Sequence, residues 1–518
     1  MNSSSFLASI RRKPLAIVAA LFTGVLMAAA SPGINFHLLA WICLVPLLMV
    51  VNKQPCRSGL LLGWLAGFIF HLGLIYWVVV SMTVYGGLPW YGAVPVLLLF
   101  SAFLGLFTAV PISLCCAVRS RAGWPCTAVL PLFWTAFEYI KSWFLTGFPW
   151  DNLAHTQFQN LLVIQIADLT GVWGVSFLIV TINCAIAGMV ERVIRDDIRI
   201  LPDMAIGLML LGGTLGYGWV RLAEPDANEQ KRPLRVSMIQ PNIPQDLKWD
   251  PMYLEATLKK FSSLTAASRS AAPELIVWPE SATPFFYEAE PIYRSMLEDI
   301  VKNGSAYLLF GSPAYEQTSA GQRFFNSAYL ISPHGEIIAR YDKIHLVPYG
   351  EYVPLKRFFP FIEKMVPGIS DFSPGTAIKL LGMPGCRLGT VICYEIIFPD
   401  LVRRFAAAGA HAIVNITNDA WFGATSAPVQ HVAIAVFRAV ENRRWIARCA
   451  NTGITAFISP QGRVVSQTDI FTERVVSGVI YCHTGLTIYT RYGDIMAKAC
   501  CIAAVCLLWL ARRQRRYP

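Results

Sequence analysis

Eight apolar runs, each about as long as a membrane-spanning helix, set the strongest limit on how this chain of 518 residues can fold. A helix needs about 20 residues to cross the roughly 30 Å hydrocarbon core of a bilayer. With 55% hydrophobic and 14% charged residues, the chain is too apolar for an ordinary soluble protein. The runs cover residues 14–31, 34–51, 59–81, 91–118, 124–145, 160–190, 202–221 and 495–511. We therefore expect an α-helical membrane domain of about eight transmembrane helices.

Lysine and arginine residues are distributed unevenly between the loops that join these runs. The segments 32–36, 82–90 and 146–159 contain none, whereas the alternate loops and both ends are basic. Because cytoplasmic loops carry the excess of Lys and Arg, both termini are predicted in the cytoplasm and residues 222–494 outside it. The net charge of +11 comes largely from these clusters, so no nucleic-acid partner is expected. The clusters are Arg11, Arg12 and Lys13; Lys53 and Arg57; Arg119 and Arg121; Arg192, Arg195 and Arg199; and Arg512, Arg513, Arg515 and Arg516.

The first apolar run also resembles a signal peptide. It follows Arg11, Arg12 and Lys13, and it ends in Met27-Ala-Ala-Ala30, which contains an Ala-x-Ala cleavage pattern. Its apolar stretch is longer than that of most signal peptides, so an uncleaved anchor is favoured. Cleavage after Ala30 would leave the later spans in the same orientation.

The composition changes at about residue 225 to Pro, Asn, Gln and charged residues. We expect a transmembrane domain at 1–224, a folded outer domain at 225–490, and a last helix with a basic tail at 491–518. Short β-branched runs alternate with amphipathic helices in the outer domain, which predicts a layered α/β architecture. The predicted strands are Leu234 to Ile239, Leu275 to Trp278, Tyr307 to Phe310, Asn326 to Ile331, Cys386 to Ile392, Ala412 to Ile416 and Thr455 to Ile458. The predicted helices are 251–268, 291–302, 399–408 and 428–446.

The thirteen cysteines contain no Cys-x-x-Cys pair and no nearby His at the spacing of zinc ligands. Neither a metal site nor a disulfide framework is therefore expected. Nine cysteines lie in or beside apolar runs, where Cys commonly acts as a small buried hydrophobe. Cys386, Cys393, Cys449 and Cys482 remain as candidates for chemistry.

Three residues come where a predicted strand meets a loop, which is where scaffolds commonly present reactive groups. Glu280 follows the strand in Leu-Ile-Val-Trp-Pro-Glu, Lys343 lies in Tyr-Asp-Lys-Ile-His-Leu-Val-Pro-Tyr-Gly-Glu-Tyr, and Cys393 ends the strand in Val-Ile-Cys-Tyr-Glu. Each has a plainer alternative: a solvated loop carboxylate, a surface lysine and a packed core cysteine. The turn after Cys393 would resemble a nucleophile elbow, in which a strand delivers the nucleophile to a sharp turn.

A nucleophilic cysteine needs a base, because an ordinary thiol with a pKa near 8.5 is mostly protonated at neutral pH. None of the five histidines of the outer domain stands in a recognisable Cys/His protease motif; they are His334, His345, His411, His431 and His483. A carboxylate is therefore the expected base, with a lysine arranged to act on the transition state.

These motifs together resemble the nitrilase superfamily, whose members use a Glu-Lys-Cys triad. Glu280, Lys343 and Cys393 occupy the triad positions, and the segments 415–423 and 438–444 are similar to further signatures of that superfamily. Combined with seven leading apolar runs and one trailing run, the chain resembles the apolipoprotein N-acyltransferase family. The resemblance implies a four-layer αββα sandwich on the periplasmic side of a bacterial inner membrane.

The same resemblance implies the chemistry and the partners. A phospholipid would donate an acyl group to Cys393, and the amine of a diacylglyceryl-modified apolipoprotein would accept it, without a cofactor or metal. Glu351 is implied as a second carboxylate that orients the triad, and Tyr394 and Glu395 as neighbours that shape the acyl pocket. Trp249 lies in a segment that could cover the site, although a surface aromatic is an equally good interpretation.

Two alternatives and one open question remain at this stage. A membrane-tethered amidohydrolase would use the same triad with water in place of the amine. A transporter would instead need intramembrane charges, of which Glu138, Lys141 and Asp168 are the few candidates. The apolar loop at 358–366 (Phe358, Phe359, Phe361, Met365 and Val366) would act either as a membrane-dipping lid or as ordinary packing.

Overall fold

A computed structural model describes residues 3–51, 54–195, 202–224, 232–319, 321–353 and 371–514. The chain divides into two compact units. The first, called the helical unit here, contains the described parts of Met1–Val79, Pro89–Leu222 and Asp494–Pro518. The second, called the sheet unit, contains those of Val80–Leu88 and Ala223–Gly493. The apolar loop at 358–366 lies outside the described residues.

Long apolar helices dominate the helical unit, as the hydropathy pattern predicts. Five of the eight predicted runs correspond to helices that are long and apolar enough to cross a membrane. These are Cys56–Leu74, Trp90–Ala122, Val172–Val193, Asp203–Ala223 and Ile495–Gln514. A total of eight spans stays a prediction.

The other three runs differ from simple spanning helices. The run at 14–31 is the apolar part of the helix Ser3–Ala30, and the run at 34–51 is broken, with a 3-10 helix at His37–Trp41 and an α-helix only at Val45–Val51. The run at 124–145 yields the helix Cys126–Lys141, which carries buried charged residues. Hydropathy averaged over a window does not register such breaks, so the limits of these helices differ from those predicted.

Two of the three intramembrane charges considered above, Lys141 and Asp168, are paired with opposite charges in the helical unit, and the third, Glu138, accepts hydrogen bonds from Trp134 and from the N–H of Leu153. Lys141 Nζ lies 2.5 Å from Asp151 Oδ1, and His71 Nε2 lies 2.5 Å from the other oxygen of that carboxylate. Arg221 Nε donates to Asp168 at 3.1 Å. Buried charges are tolerated where they are paired in this way. This pairing accounts for Lys141 and Asp168 without a transport path.

In the part of the sheet unit that the structure describes, twelve strands form the framework. The strands are β1 Pro233–Gln240, β2 Leu275–Val277, β3 Tyr307–Thr318, β4 Gly321–Ile331, β5 Ile337–Asp342, β6 Leu380–Met383, β7 Cys386–Ile392, β8 Ala412–Thr417, β9 Ile446–Ala450, β10 Ala456–Ile458, β11 Val464–Gln467 and β12 Arg474–Tyr481. They form two six-stranded sheets, the first in the order β12-β1-β2-β3-β4-β5 and the second in the order β11-β10-β9-β8-β7-β6.

Both sheets are mixed, with parallel strands at their centres. β1, β2 and β3 run parallel in the first sheet, as do β7, β8 and β9 in the second. These inner strands are rich in Ile, Val and Leu and are almost wholly buried, as expected for strands covered on both faces. The carboxyl ends of parallel strands meet at one edge of a sheet, which places the segments after β2, β7 and β8 where reactive residues are commonly found.

Helices cover the sheets, so that the unit has the α/β architecture expected from the alternating pattern. The main helices are Leu254–Ser268, Pro291–Lys302, Pro399–Ala407 and Ala427–Asn442. The first two bury Phe261 and Leu297 in one core with Ile276 and Phe310 of the first sheet. The full four-layer αββα order stays a prediction.

A disulfide joins Cys386 to Cys482, which corrects the expectation that the chain has none. Cys386 begins β7 in the second sheet, and Cys482 directly follows β12 in the first, so the bond links the two sheets. The two residues are 96 positions apart, and such pairings cannot be deduced from cysteine spacing alone. His411 lies close to both sulfurs, but their bond to each other leaves no thiolate pair for a metal.

Candidate active site

Glu280 is held in a tight turn directly after β2. The preceding Trp278 is fully buried and stacks on Phe261, with ring centroids 4.3 Å apart, which fixes the start of the turn. The next residue, Ser281, has a φ of 47°, in the left-handed region that few non-glycine residues adopt. Only 6% of the surface of Glu280 is exposed. The carboxylate is therefore a buried group in a defined position, and not the solvated loop residue of the plainer alternative.

Lys343 is buried between two carboxylates directly after β5. Its Nζ lies 3.4 Å from Oε1 of Glu280 and 2.9 Å from Oε2 of Glu351, and 1% of the residue is exposed. Burial lowers the pKa of Lys343, but the carboxylates of Glu351 and Glu280 outweigh it and hold that pKa well above its usual range. Lys343 thus carries a fixed positive charge in the site.

Asn326 of β4 connects the two carboxylates that flank the lysine. Its Nδ2 donates to Oε1 of Glu280 at 2.8 Å and to Oε1 of Glu351 at 2.7 Å. Glu351 also accepts a hydrogen bond from the backbone N–H of Val347 at 2.8 Å. Sequence reasoning placed Asn326 in a strand but gave it no role; a lone amide in an otherwise apolar buried run was the available signal.

Cys393 occupies an elbow between β7 and a short 3-10 helix, Cys393–Ile397. Its φ is 52°, which confirms a sharp strand-to-turn geometry for a residue that is neither Gly nor Asn. Burial raises the pKa of the Cys393 thiol to about 12; Glu280 and Asp419 also raise it, and Lys343 lowers it. The resting group is therefore a thiol, and it needs a base to become a nucleophile.

A buried polar network lies close to Cys393 in the sheet unit. The Nδ1 of the fully buried His431 lies 3.1 Å from Oδ1 of Asp419. Arg448 Nη2 donates to the other Asp419 oxygen at 2.6 Å, and Thr417 Oγ1 donates to Oδ1 at 2.9 Å. Burial and the nearby Arg448 lower the pKa of His431, so the ring is neutral at pH 7. His431 therefore does not serve as an imidazolium beside Cys393.

Glu395 ties the cysteine elbow to the lysine loop. One carboxylate oxygen accepts hydrogen bonds from the Tyr341 hydroxyl at 2.8 Å and from the backbone N–H of Ile344 at 2.7 Å. The other accepts from the N–H of Ile392 at 2.8 Å. Burial raises the pKa of Glu395 to about 7, against these hydrogen bonds and the charge of Lys343. Through these hydrogen bonds, Glu395 holds the cysteine elbow and the lysine loop together.

Tyr394 and Trp249 are each partly exposed. The Tyr394 ring packs against Phe398, with centroids 5.2 Å apart, and stands next to Cys393 in the chain. Trp249 lies in a turn whose neighbouring residue, Lys248, donates from Nζ to the backbone carbonyl of Glu280 at 2.8 Å. Sequence analysis selected the tryptophan of this turn and overlooked the lysine, because nothing in Leu-Lys-Trp-Asp signals that the lysine is buried.

The sheet unit thus places three complementary groups in one buried cluster. Cys393 supplies a protonated thiol, Glu280 supplies a carboxylate, and Lys343 supplies a positive charge that acts on both. Such a set can transfer a proton from the thiol, form a covalent adduct and stabilise negative charge on an oxygen that develops during the attack.

Two family models match separate parts of this chain. Residues 23–185 match the apolipoprotein N-acyltransferase N-terminal domain, and residues 235–483 match the carbon-nitrogen hydrolase family. Among solved structures, the nitrilase-superfamily protein Nit3 of Saccharomyces cerevisiae aligns with 48% of this chain and 90% of its own, at 18% identity and a TM-score of 0.38.

Curated relatives match almost the whole chain. The apolipoprotein N-acyltransferase of Geobacter metallireducens is 41% identical over 499 residues, covering 96% of this chain and 95% of the relative. That of Pseudomonas aeruginosa is 33% identical over 503 residues, covering 96% of both chains. Since identity at this level extends through both units, the chain belongs to the apolipoprotein N-acyltransferase family.

Proposed function

We propose that this protein moves a fatty acyl group from a phospholipid to the N-terminal amine of a diacylglyceryl-modified apolipoprotein, through a thioester on Cys393. The observation that carries the proposal is the buried cluster of Glu280 and Lys343 beside the Cys393 elbow. Long apolar helices in the same chain fit an enzyme whose donor and acceptor both reside in a membrane. No cofactor takes part in the proposed reaction.

The first half-reaction forms the thioester. Glu280 takes the proton of the Cys393 thiol, and the sulfur attacks the carbonyl carbon of the phospholipid ester. A C–S bond forms, the bond from that carbon to the alkoxide oxygen breaks, and Glu280 returns the proton to the alkoxide. A lysophospholipid leaves, and the acyl group stays on Cys393. Because the pKa of the thiol is about 12, this proton transfer is the step that makes attack possible.

Lys343 stabilises the negative charge that develops on the carbonyl oxygen during the attack. Its pKa, raised by Glu351 and Glu280 despite burial, keeps the ammonium charged throughout the cycle. The backbone N–H that follows Cys393 is the second donor to this oxyanion. Removing one such donor typically costs about 2.7 to 4 kcal/mol in the activation free energy.

The second half-reaction transfers the acyl group to nitrogen. The lipoprotein amine attacks the thioester carbonyl, Glu280 accepts a proton from the amine, an amide bond forms, and the C–S bond breaks. The sulfur regains its proton, so the enzyme returns to its starting state. Donor and acceptor therefore react in turn, in a ping-pong cycle.

Four further residues support this site in the proposed mechanism. Glu351 orients Lys343 through their ion pair, and Glu395 holds the lysine loop beside the elbow. Tyr394 borders the acyl pocket next to the nucleophile, and Trp249 covers the side of the Glu280 turn. The first two assignments rest on hydrogen bonds and charge, and the last two on position in the chain.

Labelled substrate distinguishes this function from its hydrolytic alternative. We expect the purified protein to take up label from a phospholipid labelled in its acyl chain, and then to pass it to a diacylglyceryl peptide as an amide. Thin-layer chromatography and mass spectrometry of both products provide the measurement. Release of free fatty acid with no labelled peptide would instead indicate an amidohydrolase that uses water, and a protein that never carries label would contradict both.

The sheet unit faces the periplasm in this proposal, and both termini face the cytoplasm. The alternation of basic clusters supports this orientation. The Cys386–Cys482 disulfide supports it independently, because disulfides persist in the oxidising periplasm and are rare in the cytosol.

Fusions of a topology reporter test the orientation. A reporter after Glu224, at the end of the helix Pro202–Ala223, is expected to lie outside the cytoplasm, and one after Pro518 inside it. Alkaline phosphatase is active only outside and green fluorescent protein fluoresces efficiently only inside, so the two reporters control each other at each position. Finding both fusion points in the same compartment would rule out this orientation.

A further inference from the structure

Lys248 is a buried lysine that the mechanism above does not use. It lies in the turn between β1 and the helix Leu254–Ser268, and only 2% of its surface is exposed. Its Nζ donates to the backbone carbonyl of Glu280 at 2.8 Å. A buried ammonium loses its hydration and is retained only where nearby groups compensate for that loss. The groups around Lys248 therefore indicate its role.

Those groups belong to the reaction centre. Burial lowers the pKa of Lys248 to about 8, while the Glu280 carboxylate and the Cys393 sulfur both favour its charged form. Electrostatic interactions act in both directions, so a charged Lys248 favours the anionic form of Cys393. The lysine thus stabilises the thiolate that forms when Cys393 gives up its proton.

The turn that carries Glu280 is fixed on two sides. On one side the N–H of Gly311, in β3, donates to the Pro279 carbonyl at 3.2 Å, and a Cβ added at Gly311 would lie 2.5 Å from the Ser281 nitrogen. On the other side Lys248 holds the Glu280 carbonyl itself. These two contacts hold Ser281 at its strained φ of 47°.

The two carboxylates near Cys393 oppose its ionisation. Glu280 and Asp419 raise the pKa of the thiol, in addition to burial, whereas the positive charge of Lys343 lowers it. A thiolate at this position therefore depends on the positive charges close to it.

The charge of Lys343 is shared, because its Nζ contacts Glu351 at 2.9 Å and Glu280 at 3.4 Å. We propose that Lys248 is a second, positioning cation of this site, which fixes the Glu280 turn and favours the thiolate of Cys393. This role rests on the proposed function. It assigns no contact between Lys248 and the substrate.

Alkylation of Cys393 by iodoacetamide measures thiolate formation without any acyl donor. The full-length protein in detergent would be labelled between pH 6 and 10, and the Cys393 peptide quantified by mass spectrometry. We expect Lys248→Met and Lys248→Gln to slow alkylation about tenfold below pH 8, where the parental lysine is charged, and to approach the parental rate above pH 8, where that lysine has lost its proton. Lys248→Arg keeps the charge and should stay within about threefold of the parent.

The glutamine variant separates charge from hydrogen bonding. It keeps an N–H donor for the Glu280 carbonyl, so a purely structural lysine predicts a parental curve for Lys248→Gln. A curve for Lys248→Gln that coincides with that of Lys248→Arg would overturn the proposal. If the thermal unfolding midpoint shows that Lys248→Met does not fold, the comparison of Lys248→Gln with Lys248→Arg still tests the proposal. Failure of the parent to take acyl groups from phospholipid would refute the proposed function and leave this comparison intact.

Discussion

Replacing Cys393 by serine is expected to abolish the acyl-enzyme. A hydroxyl is far less acidic than a thiol, and the site already raises the pKa of the thiol to about 12, so a serine at this position stays protonated and does not attack. Loss of a catalytic nucleophile commonly costs more than about 10³-fold in rate. Intact-protein mass spectrometry after exposure to phospholipid should show an acyl adduct on the parent and none on Cys393→Ser.

Cys449→Ser is the matched control. This cysteine lies in β9 of the same unit, and its sulfur lies 3.3 Å from each of two acceptors for its single proton, the backbone carbonyls of Ile239 and Val277. A serine hydroxyl can donate its proton to either carbonyl, so the variant should fold and acquire the adduct. The sulfurs of Cys386 and Cys482 are bonded to each other and are not available. An adduct mapped to any cysteine other than Cys393 would contradict the assignment.

The sequence predicted seven of the eight inner strands of the sheet unit and missed the strands at the edges of the two sheets. The four edge strands of the two sheets, β5, β6, β11 and β12, were all overlooked. Edge strands are exposed on one side and tolerate charge, as in the half-exposed Ile-Ile-Ala-Arg-Tyr-Asp of β5. Their apolar pattern is therefore too weak to separate them from loops by composition alone.

One inner strand was missed for a different reason. The predicted helix 428–446 continues past its true end at Asn442 toward β9, which begins at Ile446. Alanine and arginine in Ile-Ala-Arg-Cys-Ala suit a helix, but β9 is fully buried between β8 and β10. The chain reverses at Arg443, whose φ is 48°. Arginine at this position does not predict a turn.

The residues proposed to react have a clearer signal in the sequence than the residues proposed to support them. Glu280 and Cys393 follow apolar strands that end abruptly, and that pattern is visible in one sequence. Asn326 and Lys248 act only because folding buries them beside Glu280, across 46 and 32 residues of chain. Long-range proximity of this kind has no local signal, so it could not be read from the motifs.

Substituting Glu280 by glutamine or Lys343 by methionine is expected to stop acylation in the first half-reaction. Glutamine keeps the shape of the side chain and can still accept the hydrogen bond from Asn326, but it cannot take the thiol proton. General-base loss of this kind costs about 10² to 10⁴-fold in rate. Loss of the Lys343 charge removes an oxyanion partner, worth about 10² to 10³-fold. Rapid-quench measurement of acyl-enzyme formation, with no acceptor present, provides the comparison.

The lysine variant needs a control for stability, because Lys343→Met leaves Glu280 and Glu351 buried without their cation. Breaking a buried ion pair in this way destabilises a protein by about 3 to 5 kcal/mol. The double variant Lys343→Met, Glu351→Gln removes one of the two stranded charges and should recover much of the thermal unfolding midpoint. Acylation should stay lost, since no cation faces the oxyanion in either variant. If the double variant regained both stability and near-parental acylation, Lys343 would serve only to balance charge, and the proposed mechanism would lose the residue that stabilises its transition state.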